Sequence, residues 1–397
     1  MRIAVKYAVI PTGSRPTEYA NVIEWCTNNS VIPITITTSA EARKYAIGIT
    51  IDDDGLNIST WWNLGLDYAY SKGADIVLIL NDDVVMPSNW LTPITKAIEE
   101  GASGASGERG NGVISGYAFA LNAKDGIRAD ENLVWWYGDD DIQRQCEKTN
   151  GFVCVPKLPV KNLYAFISSR SRKQQIELDK TYYFNKWRLD VTVVVATHGT
   201  EEWRSMGDKA QLSAQATGAK VVRVHLDKGT VAEARNAGLA QVTTKYVVFL
   251  DADDDLEPDY FNDVRPAADV TVTSIKYPYS RQPTIPKVWQ HEKKRDKLHA
   301  GPCVGACLVD GNWVHVGAIC STEAVRAVGG FREYPVYEDW ALFLAMQQNG
   351  ATFDTHPQSV YSASVRTHGN HRNSSMPIRL RNRVHEEIYN DIVKGSK

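Results

Sequence analysis

The residues of this 397-residue chain best suited to chemistry are two sets of carboxylates placed directly after apolar runs. Asp251-Ala252-Asp253, with Asp254 and Asp255 behind it, follows the run YVVFL at 246–250, and Asn81-Asp82-Asp83 follows DIVLIL at 75–80. Carboxylates crowded at the end of a strand repel one another and raise each other's pKa unless a cation sits among them. A hard divalent ion with oxygen ligands, Mg2+ or Mn2+, relieves that repulsion and can in turn bind a diphosphate. Strand-to-loop turns also carry solvated aspartates. The clusters alone leave both readings open.

The elements that would position these acids occur twice in the same order. The first series has a strand over Ile3–Ile10 closed by Pro11, strands at Ile32–Thr37 and Ala46–Ile51, and a helix around Ser59–Ser71. It ends on the DIVLIL strand. The second has VTVVVA at 191–196, VVRVHL at 221–226 leading into Asp227, a helix from Val231 to about Gln241, and YVVFL. Strands that alternate with helices predict an α/β fold with mostly parallel central sheets. In such sheets ligands bind beyond the carboxyl ends of the strands, where both acidic clusters fall. The expected division is 1–186 and 187–397, with the polar, helix-competent stretch from Arg170 to Arg188 between the repeated series.

Totals narrow the classes. With 44 basic and 47 acidic side chains the net charge is -3, so no global field draws the chain to nucleic acid or an anionic membrane. No run of about 18 apolar residues predicts a membrane span, and the amino terminus reads as a buried strand, not a signal peptide. The six cysteines (26, 146, 154, 303, 307 and 320) contain no Cys-x-x-Cys pair and read as small reduced thiols in a cytoplasmic protein.

Residues 232–261, AEARNAGLAQVTTKYVVFLDADDDLEPDYF, resemble the core of glycosyltransferase family 2: ARN-x-GL on a helix, an apolar strand, Asp-x-Asp, and a proline five residues beyond the second Asp. GGFREYPVYEDWALFLAMQQNG at 329–350 and VRTHGNHRNSS from Val365 resemble two further blocks of that family, in order. The resemblance implies two tandem GT-A domains, a nucleotide-diphosphosugar donor and a divalent metal. It implies that Asp253, with Asp251 beside it, holds the metal on the diphosphate, that Asp339 is the catalytic base, and that His368 completes the metal or diphosphate site, with His371 able to replace it. Thr197 and Asp227 would contact the nucleoside, and Arg235 and Asn236 would lie near the nucleotide. Inverting transfer requires such a set: a carboxylate to take the acceptor's proton and a cation for the departing diphosphate.

The first half resembles the family less fully. Asp82, five residues before Pro87, stands for Asp253; Asp139, in WWYGDDD at 135–141, stands for Asp339. Thr12 and Asp53 are its donor-contact candidates. Trp62 replaces Arg235, Leu80 is expected where Asp251 stands, and Lys157 or Lys161 replaces histidine as the counter-charge. This half is either a second transferase or an acceptor-binding partner. Residues 262–328, with Tyr277, Tyr279, Trp289, His291, the basic run 293–295 and Trp313, would meet a glycan, lipid-linked or protein acceptor. A sugar nucleotidyltransferase, and a non-catalytic carbohydrate-binding scaffold, are the competing functions.

Overall fold

β-Branched and apolar runs such as IVLIL at 76–80 and VTVVVATH at 191–198 form the inner strands of the central sheets, as expected where both faces of a sheet are covered by helices. A computed structural model of the chain describes residues 4–13, 16–45, 49–52, 57–107, 113–164, 172–278, 281–284, 308, 314–364 and 376–395. It divides into two units, Met1–Lys186 and Trp187–Lys397.

Unit 1 contains β1 (Lys6–Thr12), β2 (Ile32–Thr37), β3 (Ile49–Asp52), β4 (Ile76–Leu80), β5 (Val84–Val85), β6 (Gly104–Gly107), β7 (Ala118–Asn122), β8 (Phe152–Val155) and β9 (Lys161–Asn162). Its large sheet has the order β3-β2-β1-β4-β7-β6-β8, with β5 and β9 paired apart. Only β7 runs against the rest. Helices α1 (Pro16–Asn28), α2 (Ala40–Tyr45), α3 (Ile58–Ser71), α4 (Leu91–Glu99), α5 (Gly138–Thr149) and α6 (Lys173–Lys186) complete it. The first strand does not stop at Pro11. It continues to Thr12, with Pro11 opposite Ile36 in the β1–β2 pair.

Unit 2 contains β10 (Val191–His198), β11 (Lys220–Leu226), β12 (Tyr246–Leu250), β13 (Asp255–Leu256), β14 (Val270–Lys276), β15 (Ile319–Ser321) and β16 (Phe353–Ser362). The order is β11-β10-β12-β15-β14-β16-β13. Its helices are α7 (Glu201–Ala216), α8 (Val231–Leu239), α9 (Thr322–Ala327), α10 (Glu338–Gln348) and α11 (Ile378–Tyr389). In each unit the first strand is flanked by the second and by the strand that ends in the acidic cluster. An antiparallel strand follows (β7 or β15), then the strand preceding it in sequence (β6 or β14). Both units are therefore α/β, with sheets of mostly parallel strands.

Two glycines fix where a helix crosses each sheet. A Cβ on Gly65 of α3 would lie 2.4 Å from Val9 of β1, and one on Gly238 of α8 would lie 2.3 Å from Val194 of β10. No side chain fits at either crossing.

α6, from the stretch placed between the repeats, is an integral part of unit 1. The buried Asp179 carboxylate accepts the main-chain N–H groups of Val134, Trp135 and Trp136 at 3.2, 2.7 and 2.8 Å. Tyr183 stacks on Tyr137 with ring centroids 5.0 Å apart. Among the described residues Cys26, Cys146 and Cys320 are buried free thiols and Cys154 is a half-buried one; Cys303 and Cys307 lie outside them.

Candidate active site

α8 begins with a capping box in which Thr230 and Glu233 satisfy each other's backbone N–H groups. That start sets the register of the helix and sends Arg235 inward beneath the end of β12. Arg235 is only 5% exposed. Its guanidinium donates to Asp251 Oδ1 at 2.6 Å and to Glu338 Oε1 at 3.1 Å, and lies 4.9 Å from the centre of the Phe331 ring. Burial alone would lower its pKa; Asp251, then Glu338 and Asp339, override burial and hold it above the ordinary arginine value. One buried cation thus joins the acidic cluster after β12 to the acids that open α10.

Those acids are aimed by backbone geometry. Tyr337, directly before α10, has φ 65°, a left-handed conformation rarely adopted by a bulky residue. The chain reverses there. It presents Glu338 and Asp339 in the first helical turn, where the helix N-terminus favours negative charge. Asp339 Oδ1 accepts the N–H of Trp340 at 2.8 Å.

Behind the cluster lies a group that sequence reading missed. The Tyr361 hydroxyl donates to Asp254 Oδ2 at 2.6 Å, and Ser364 N–H donates to Asp254 Oδ1 at 2.7 Å. Burial and then Asp251 push the Asp254 carboxyl up to about 7, with Asp253 adding to this and the Tyr361 and Ser364 hydrogen bonds opposing it. His315, hydrogen-bonded to the Thr273 carbonyl and to Gly317 N–H, lies beside the Tyr361 ring. Burial pushes its pKa down to about 4, against the Thr273 hydrogen bond and Asp251.

The nucleotide-contact candidates have partners within the chain. Asn236 uses its amide on the Phe331 carbonyl at 2.8 Å and its oxygen on the Phe331 N–H at 2.9 Å. It clamps the segment leading to α10 and does not offer these atoms to a ligand. Thr197 is buried; its hydroxyl meets the Val224 carbonyl, His225 and Arg223. Asp227, by contrast, is 85% exposed and is met by Arg204 at 2.9 Å. His368, and with it His371, lies outside the described residues, as do Asp53, Tyr279, Trp289, His291, the basic run 293–295 and Trp313. Among the described residues no group of three or more His, Cys, Asp or Glu side chains forms a ready-made metal site. Asp251 is turned to Arg235 and Asp254 to Tyr361.

Unit 1 repeats the scaffold and changes the chemistry. Asn63, one residue after Trp62 as Asn236 is after Arg235, clamps Ala129 by its N–H and carbonyl, both at 2.9 Å. Tyr137, directly before α5, has φ 64°. Trp62 is 5% exposed and packs edge-on to Phe119. A Cβ on Gly138 would lie 3.1 Å from its ring, so the residue in Glu338's place makes room for the indole. Counted from the strand end, Asn81 and not Leu80 stands where Asp251 does. Leu80 is the last, fully buried residue of β4. The misplacement came from counting back from the proline: three residues separate β4 from β5, whereas four separate β12 from β13. Thr12 donates to Asp82 at 2.8 Å, both buried, and the Asp139 carboxylate lies where any Cβ on Gly116 would fall. Lys161 pairs with Val85 as Tyr361 pairs with Leu256.

A family model matches residues 205–301, which include Asp227, Arg235, Asn236, Asp251 and Asp253. The match is to glycosyl transferase family 2. Thr197, Asp339 and His368 fall outside the matched span. Within unit 2 the matched span runs from α7 through β14 to residue 301. No curated protein matches the chain. Among solved structures it is similar to TarS 1-349 of S. aureus in complex with UDP-GlcNAc, at 15% identity and TM-score 0.36, over 48% of this chain and 62% of that one. It is also similar to the mannosyltransferase PcManGT of Pyrobaculum calidifontis in complex with GDP-Man and Mn2+, at 10% identity and TM-score 0.38, over 45% and 64%. The chain thus spans less than two thirds of either. No described helix is long and apolar enough to cross a membrane.

Proposed function

We propose that unit 2 transfers a sugar, with inversion, from a nucleotide-diphosphosugar to an acceptor hydroxyl, with Asp339 as general base. The observation that carries this reading is the Arg235 guanidinium, which gathers the acids of the β12 end and of the α10 start about one point. Both acids stand in the first turn of α10, with Glu338 held by Arg235 at 3.1 Å, and Asp339 is the one that the family resemblance matches to the base. Asp339 takes the proton of the acceptor hydroxyl as its oxygen attacks the anomeric carbon from the face opposite the diphosphate. The anomeric carbon–oxygen bond breaks, and its electron pair leaves with the nucleoside diphosphate.

Asp251 and Asp253 supply hard oxygen donors at a strand end where burial, and then Asp251, push the Asp254 carboxyl up. These residues fit Mg2+ or Mn2+. When bound, the cation would offset charge on the diphosphate. Asp227, exposed at the end of β11, is placed to meet the nucleoside. Unit 1 we read as a divergent copy without this transfer chemistry.

The test is metal-dependent transfer and hydrolysis of UDP- and GDP-sugars by the full chain. Asp339→Asn should bind donor and lose transfer, whereas Asp253→Asn should weaken donor binding itself. Equal transfer by wild type and Asp339→Asn would overturn the assignment.

A further inference from the structure

Asp254 closes the loop after β12, which is one residue longer than its counterpart after β4. Both of its carboxylate oxygens are held from the end of β16, by the Tyr361 hydroxyl at 2.6 Å and by Ser364 N–H at 2.7 Å. The same hydroxyl lies 3.4 Å from the main-chain nitrogen of Asp251, so one atom touches both ends of the loop 251–254. The ring that carries it is fully buried, rests against His315, and fits only because residue 317 is glycine: a Cβ there would lie 2.1 Å from the ring. Lys161 holds the matching place in unit 1, beside a loop that ends in Asp83 and is one residue shorter.

We propose that Tyr361 is a positioning residue for the transfer site, its hydroxyl fixing the loop 251–254 so that Asp251 and Asp253 stay spaced for a divalent cation. This rests on the transferase reading of unit 2. Tyr361 acts through Asp254 and the backbone and need not touch substrate. Outer partners of metal ligands typically govern affinity by a factor of ten to a hundred.

The experiment is a titration of the full chain with Mn2+ in the presence of UDP, followed by the electron paramagnetic resonance of free Mn2+. Tyr361→Phe, which removes one oxygen and keeps the ring, should weaken Mn2+ binding by about tenfold or more. Its kcat at saturating Mn2+ should stay near wild type. Unchanged Mn2+ affinity, with or without a lower melting temperature, would overturn the proposal and leave the transferase reading standing. Failure of the wild type to bind Mn2+ would remove both. If Tyr361→Phe does not fold, Asp254→Ala carries the same test, since it removes both oxygens held by Tyr361 and Ser364. Positioning requires a smaller loss than that of Asp253→Asn; an equal loss would make Asp254 a direct ligand and overturn the proposal.

Discussion

Units 1 and 2 hold the helix before the acidic strand to the sheet with the same glycine and pin a later segment with the same asparagine, yet the helix residue preceding that asparagine is a buried indole in one and a buried guanidinium in the other. Arg235, Glu338 and Asp251 of unit 2 correspond to Trp62, Gly138 and Asn81 of unit 1, with the loop one residue shorter and Lys161 in place of Tyr361. The differences are not independent. A buried guanidinium without its carboxylates, or the carboxylates without it, would leave uncompensated charge in a low-dielectric interior. An indole in place of the guanidinium needs space where the glutamate stood, and glycine provides it. A buried ionic cluster changes as a set. The scaffold that carries it persists because its clamps use only backbone and amide groups.

The largest contrast to test is catalytic. Asp339→Asn should lower transfer by about 10²–10⁴-fold, while Asp139→Asn should leave it unchanged; a comparable loss in both would make unit 1 a second transferase. Next comes stability. Arg235→Ala should cost ~3–5 kcal/mol in denaturant unfolding, because Asp251 and Glu338 lose their buried partner. Installing the unit 1 set, Arg235→Trp with Glu338→Gly, should recover much of that stability without recovering transfer. Trp62→Arg alone should destabilise unit 1, having no carboxylate at residue 138 to receive it. A double variant no more stable than Arg235→Ala would show that the two sets do not exchange.

A smaller and matched effect is expected at the clamps. Asn63→Ala and Asn236→Ala should each cost roughly 2 kcal/mol, since each strips partners from a main-chain N–H and carbonyl. A marked inequality would break the correspondence of the two scaffolds. The smallest effect is a pH slope confined to unit 2. Asp254 binds its proton more tightly in the folded chain than in the unfolded one, so its contribution to metal-free stability should be full at low pH and be lost as pH rises through about 7. Thermal melts from about pH 5 to about pH 8 should show this slope, Asp254→Asn should flatten it, and Mn2+ should restore stability most above pH 7.

The strands, the helix bearing Arg235 and the acidic strand ends were legible because their signals are local: period, capping residues, and a run of aspartates after YVVFL. What escaped depends on partners far away in the chain. Nothing in the sequence near Asn236 announces Phe331, 95 residues on, whose main chain it grips. Asp254 looks like one more aspartate in a row until Tyr361, 107 residues on, is found donating to it. Glu338 was passed over for the same reason, since its partner Arg235 lies 103 residues away. The Leu80 placement failed on a single-residue difference in loop length, which counting from a distant proline cannot register and which strand pairing reveals at once.

The polar helix Lys173–Lys186 determines where unit 1 can be cut. Besides the three amides held by Asp179, its last residue, Lys186, reaches the fully buried Asp141 at 2.6 Å and Asp130 at 2.7 Å. A fragment ending before Lys173 would keep every strand of the sheet. It would still strand an anion in the interior and three amides without acceptors beside Asp139, and protease should find that loop first.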